Sequence, residues 1–125
     1  MDVSQIPLFA LADKRLGWVA ARQAVLAQNI ANADTAGFRA RDVAPFAAML
    51  TAPGIPLAAT APGHFSGKPA ATAKAKDVPG ERSPDGNTVA LDKELAKVAD
   101  TDMAHEFATG MTRKYLGMFR IALGK

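Results

Sequence analysis

Two long stretches of this chain carry apolar residues at helical spacing, one towards each end, and the stretch between them does not. In the first, Phe9, Ala12, Leu16, Val19, Gln23, Leu26 and Ile30 succeed one another at alternating intervals of 3 and 4. That spacing lines side chains along one helix face, as in a coiled-coil seam. Ala20, Ala24, Ala27 and Ala31 form a small-residue stripe beside it, over which a neighbouring helix can approach closely. The pattern predicts a helix from about Ile6 to about Ala33, roughly 42 Å long at 1.5 Å per residue. Pro7 suits its first turn, where an N–H would have no partner anyway. Gly17 is a weak point, costing about 1 kcal/mol against Ala.

The second pattern runs through Leu91, Leu95, Val98, Asp102, His105, Thr109, Thr112, Leu116, Phe119 and Leu123 in the same rhythm. Its middle is polar, and the neighbouring line of Ala99, Met103, Phe107, Met111, Tyr115 and Met118 supplies the apolar groups there. The apolar surface thus shifts around the helix, as it would on a helix that touches several neighbours. The predicted helix covers Lys93 to Leu123, roughly 46 Å, with Asp92 as N-cap and Glu94 favoured in the first turn by the dipole.

Residues 51–86 hold six of the eight prolines, five of the ten glycines and eight alanines, with Ile55, Leu57, Phe65 and Val78 as the bulky apolar groups. Such a segment buries too little surface to offset its ordering entropy. The expected fold is therefore mainly α. Long N- and C-terminal helices pair as a coiled-coil-like hairpin around an irregular Pro/Ala/Gly-rich middle. The boundaries are 1–33 for the first helix, 34–50 for a turn and extended arm, 51–86 for a flexible insert and 87–125 for the second helix, all one assembly domain. Two readings stay open: an ordinary intramolecular hairpin, or helices whose surplus apolar surface is covered by other subunits.

Composition narrows the chemistry. The 125 residues make at most one domain, and the net charge is only +3. Basic residues are interleaved with acidic ones except for Arg113, Lys114, Arg120 and Lys125, which suit a helix C-terminus. No nucleic-acid footprint is expected. There is no cysteine, which excludes disulfides and thiolate chemistry. No run approaches the ~18 apolar residues of a membrane span, and the opening Met1-Asp2 lacks the pattern of a cleaved signal. His64 and His105 lack metal-ligand spacing. Asp100, Asp102 and Glu106 spread over more than one helix face, and Ser4, Ser66 and Ser83 lack a nucleophile setting. No catalytic residue, metal or cofactor is expected.

At the end of the first helix the chain reads Asn29-Ile30-Ala31-Asn32-Ala33-Asp34-Thr35-Ala36-Gly37-Phe38. Physically this is a helix stop, since Asn32 and Gly37 tolerate left-handed backbone. It also resembles the signature of the flagellar axial proteins (rod, hook and related subunits), roughly Asn-x-x-Asn-x-x-Thr-Pro-Gly-Phe/Tyr. The match covers Asn29, Asn32, Thr35, Gly37 and Phe38, with Ala36 in place of the usual Pro. Arg39 to Val43 with Phe46 and Leu50, then Thr60 with His64-Phe65, and Asp85 to Val89 leading into Leu91 to Leu95 resemble the proximal-rod type. Thr101 departs from it, standing where Asn is common.

The resemblance implies a structural subunit of the proximal rod of the bacterial flagellar basal body. Another axial subunit, or a helical adaptor or chaperone-like module, is the alternative. Partners would be other copies of the chain, other rod and basal-body proteins and the flagellar type III export apparatus. The chain would reach the periplasm-spanning rod without a cleaved signal, and without membrane insertion. Leu16, Val19, Leu26, Ile30, Leu95, Val98, Leu116 and Phe119 would then form the helix-packing seam.

Overall fold

A computed structural model describes residues 7–51 and 74–124. In chain order it contains α1 (Pro7–Ala31), β1 (Arg41–Val43), α2 (Phe46–Thr51), β2 (Ala75–Asp77) and α3 (Leu91–Ala122). The expectations for the insert between positions 52 and 73, including His64 and Phe65, fall outside the described residues.

α1 has 25 residues and α3 has 32, so they are roughly 37 and 48 Å long. They pack antiparallel. Phe9 lies 6.0 Å from Phe119 between ring centroids, Gln23 Nε2 donates to Asp102 Oδ1 at 2.6 Å, and Asn29 reaches Glu94. The molecule is therefore a helical hairpin with an open tip, where α1 begins and α3 ends, and a closed end, where the chain turns. The polar middle of the α3 pattern is explained in part by the Gln23–Asp102 bond across the hairpin.

Between the helices runs an antiparallel two-stranded ribbon, β1 with β2, pairing Arg41 with Asp77, Asp42 with Lys76 and Val43 with Ala75. The apolar core lies where this ribbon meets α1: Trp18, Val19 and Val43 are buried, with Val25, Phe46, Met49, Ala75 and Ala104 packed around them. Trp18 also donates its indole N–H to the Ala44 carbonyl at 2.7 Å, so its polar edge is satisfied as its rings are buried.

Three local features differ from the sequence reading. The second half of the 34–50 arm is helical: the Ala48 N–H bonds to the Pro45 carbonyl, and Phe46 packs edge-on against Trp18 with centroids 6.1 Å apart. The last third of the 51–86 segment contributes β2 and an ordered turn, because β1 offers an unpaired edge that it completes. α3 starts at Leu91 with Ala90 as its cap residue and no side-chain cap. Asp92 falls in the first turn instead, since the Glu94 N–H already bonds to the Ala90 carbonyl.

Candidate functional site

The closed end of the hairpin is where the signature segment folds, and many of the side-chain hydrogen bonds among the described residues gather there. Asn29 occupies the last turns of α1 and is fully buried. Its Nδ2 donates to the Arg41 carbonyl at 2.6 Å and to Glu94 Oε2 at 2.7 Å. Its Oδ1 accepts the Arg41 N–H at 3.0 Å. One side chain therefore bonds both backbone groups of β1's first residue and a carboxylate on α3.

Glu94 passes the connection on. It is 2% exposed, and its Oε1 accepts from Lys97 Nζ at 2.7 Å. Lys97 also lies 3.8 Å from Asp42 Oδ2. Asp42 in turn receives a two-pronged contact from Arg22, Nε to Oδ1 and Nη2 to Oδ2, both at 3.1 Å. The result is a continuous polar chain, Asn29–Glu94–Lys97–Asp42–Arg22, that ties α1, β1 and α3 together. Paired and hydrogen-bonded charges of this kind specify one arrangement of the elements around them, because any other leaves a charge without a partner. Among the described residues no buried side-chain nitrogen or oxygen lacks a hydrogen bond.

The turn itself is held from the other side. Asn87, 2% exposed, directs its Nδ2 at three carbonyls, those of Asn32, Ala33 and Thr35, at 2.8 to 3.0 Å. Its Oδ1 accepts the Val89 N–H. These carbonyls belong to the turn just past the end of α1 at Ala31, where helical partners have run out. Asn32 Nδ2 bonds to the Gln28 carbonyl, and Thr35 Oγ1 bonds to Asn32 Oδ1. Gly37 has φ +71°, and its N–H bonds to the Asp85 carbonyl. Gly86, with φ +85°, lies against Gly37: a Cβ there would sit 3.5 Å from Gly37 Cα. Phe38 accepts at its carbonyl from the Thr88 N–H, and Thr88 Oγ1 accepts the Ala40 N–H.

Of the signature residues, Asn29, Asn32, Thr35, Gly37 and Phe38 all converge on this junction. The eight seam residues divide. Val19 and Leu26 are wholly buried, while Leu16, Ile30 and Val98 are partly buried. Leu95, at 54%, and Leu116 and Phe119, both at 41%, remain partly open within one protomer, with the Phe119 ring beside that of Phe9. The buried line of α3 is instead Glu94, Thr101 and Ala108, a seven-residue repeat displaced by one position from the apolar one. Thr101 buries its hydroxyl by bonding it to the Lys97 carbonyl at 2.7 Å. The sequence signal missed here was the polar one. Glu94, Asn87 and the Arg22–Asp42 pair lie 20 or more residues from partners that only the folded chain brings close.

Among the described residues no cluster of His, Asp and Glu could hold a metal ion, and no helix is long and apolar enough to cross a membrane. The arrangement is that of a joint: it orients one helix, one arm and a second helix.

Comparison with known proteins agrees with the position of this joint. The family described as "Flagella basal body rod protein" matches residues 19–39, which run from the buried Val19 through Asn29 to the turn. The chain is 32% identical over 121 residues to the flagellar basal body rod protein FlgB of Agrobacterium fabrum, covering 91% of this chain and 90% of that protein. It is 35% identical to FlgB of Salmonella typhimurium over 119 residues, covering 84% and 85%. It is 40% identical to FlgB of Proteus mirabilis over 97 residues, covering 68% and 70%.

Proposed function

The chain belongs to the flagellar basal body rod protein family, as a member of its FlgB type, and we propose from that premise that it is a structural subunit of the proximal rod that polymerises through its terminal helices. The observation that carries the reading is the junction at the closed end. The signature residues serve there to set the angle between helix and arm, which is what a building block needs and what a catalyst does not. A subunit in a torque-transmitting shaft must hold its shape under load. The Asn29–Glu94–Lys97–Asp42–Arg22 chain supports such rigidity by penalising any relative movement of the three elements it joins.

Its place is the flagellar basal body, among other rod components. The finer partners are copies of itself, neighbouring rod proteins and the type III export apparatus. The exposed apolar groups of α3, Phe107 at 70% and Ile121 at 80% among them, support contact with further subunits, because a monomer left in water has no use for so much apolar surface. Leu95 and the exposed sides of Leu116 and Phe119 contribute to that outer contact, while Leu16, Val19, Leu26, Ile30 and Val98, with Phe119 against Phe9, hold the hairpin.

The test is fractionation of intact basal bodies from the bacterium that makes this chain, together with a deletion strain. The chain is expected in the rod fraction, and its deletion is expected to abolish rods and swimming. Basal bodies that assemble normally and lack the chain would overturn the reading.

A further inference from the structure

We infer that the open tip of the hairpin is an interfacial lipid-binding face, suited to lie on a membrane surface that carries anionic phospholipid. This goes beyond the rod reading and does not depend on it, since it concerns the free subunit before protein neighbours cover the same groups. Leu8 and Leu11 of α1 and Phe107 and Met111 of α3 wall one side of the tip, around an open cleft of about 310 Å³ with Arg15 and Phe46 at its inner end. On α3, Met118 and Ile121 follow Phe107 about three and four turns further on, so they extend the same stripe towards the helix end. Phe107, Met118 and Ile121 are 70, 51 and 80% exposed. Asp13, the one acid of α1, lines a separate groove with Phe9, Leu16 and Leu116. The face is therefore apolar across two helices and free of α1's carboxylate.

Cations are set among these apolar groups. Past Glu106, residues 107–124 hold Arg113, Lys114 and Arg120, all exposed, and no acid. Lys114 stands about two turns along from Phe107 on the same stripe, and Arg113 and Arg120, about two turns apart, flank it. A long basic side chain so placed lays its stem over apolar surface while its charge reaches the headgroup level. α1 adds Arg15, whose guanidinium stacks 4.7 Å from the Trp18 ring centroid and 4.8 Å from that of Phe46. Among the described residues no acceptor meets that guanidinium. Held flat by two rings, it keeps its in-plane N–H groups free for a phosphate. The cleft beside it has room for part of an acyl chain. Cations and apolar groups mixed at such spacing suit lipid, whose phosphates and chains adjust to them, better than a folded acidic partner with fixed positions. The charge distribution has the same sense. Residues 7–15 and 107–124, at the tip, carry five basic side chains and one acidic, net +4. Residues 28–41 and 77–95, at the closed end, carry six acidic and four basic ones, net −2. The basic end of α3 is what its own dipole favours, but Arg15 stands in the N-terminal half of α1, where the dipole offers it nothing. An anionic surface therefore attracts the tip and repels the closed end, which turns the tip towards it.

The test sediments the purified full-length chain with vesicles of phosphatidylcholine, either alone or mixed with phosphatidylglycerol. Binding to the mixed vesicles is expected at low salt, should fall at high salt, and should be at least about tenfold weaker with phosphatidylcholine alone. Phe107→Ser and Ile121→Ser should each weaken it about tenfold, and Arg113→Gln and Arg15→Gln about fivefold each, with the circular dichroism of every variant unchanged. Leu95→Ser, at a 54% exposed position of the closed end, should bind as the parent does. Equal binding to both kinds of vesicle overturns the lipid face, and so do Phe107→Ser and Ile121→Ser chains that bind as tightly as the parent. Pelleting without vesicles that the same two substitutions abolish places a second copy on the face and overturns it too. Failure here together with normal recovery in basal bodies would leave the rod reading standing and remove only the lipid contact.

Discussion

Replacing Asn29 by Ala is the sharpest probe of the joint. The side chain is fully buried and makes three hydrogen bonds, two to the backbone of Arg41 and one to the Glu94 carboxylate. A neutral hydrogen bond contributes about 1 kcal/mol, and one to a charged group about 1.5–3. Alanine also leaves the Arg41 N–H and carbonyl unpaired in a site that water reaches poorly, so the expected loss is about 4 kcal/mol. A small domain has only about 5–15 kcal/mol of stability in total, and the variant should lose a large part of its urea-unfolding free energy. Hydrogen exchange should rise first at Arg41 to Val43, the strand that Asn29 anchors. Asn32→Ala is the matched control. Asn32 is partly exposed and makes only local bonds, to the Gln28 carbonyl and the Thr35 hydroxyl, and its loss should cost about 1 kcal/mol or less. If the two variants unfold at the same urea concentration, Asn29 is not the keystone described above.

Four further outcomes follow from the same geometry. Asp42→Asn should destabilise by about 2 kcal/mol, since Arg22 and Lys97 both lose a largely buried anion; Asp77→Asn, whose contacts to Arg39 and Arg41 are long and exposed, should change stability by less than about 0.5 kcal/mol. Thermal melts of the two variants decide it. Gly37→Val should cost about 1–2 kcal/mol through its φ of +71° alone, because a Cβ there meets nothing within 4 Å; Gly37→Asn should be milder, and a motility assay with matched expression should rank them the same way. Leu26→Asp places a carboxylate at a wholly buried position and should abolish cooperative melting, whereas Phe107→Ser, at a 70% exposed position, should melt within about 0.5 kcal/mol of the parent. Trp18→Phe removes the bond to the Ala44 carbonyl and should cost about 1–2 kcal/mol, measured as a shift in urea midpoint.

The two helices and their antiparallel pairing were legible because periodicity is a local signal that repeats over many turns. Val19 and Leu26 occupy the middle of the α1 pattern and are wholly buried. The α3 face was harder to place because apolar residues there serve more than one surface. Leu95 carries the rhythm and Phe107 the line beside it, yet Glu94, Thr101 and Ala108 are the buried positions of α3. A buried glutamate looks like an ordinary first-turn acid in sequence. Its burial follows from an asparagine 65 residues away, and its charge is balanced by a lysine one turn along that also serves Asp42. Such a long-range polar match leaves no periodic trace.

The short elements were hidden for a related reason. β2 has three residues, Ala75 to Asp77, with no alternation long enough to read, and it exists because β1 lies beside it. β1 in turn is held open for pairing by Asn29, which fixes Arg41, and by Thr88, which accepts the Ala40 N–H. The order of cause therefore runs from helix end to arm to ribbon. That order explains why the signature residues cluster at the end of α1 and in the turn that follows it: the rest of a helix tolerates many sequences with the right period, but only an asparagine, with a donor and an acceptor on one short side chain, can bond both backbone groups of Arg41 and reach Glu94 from the same buried position.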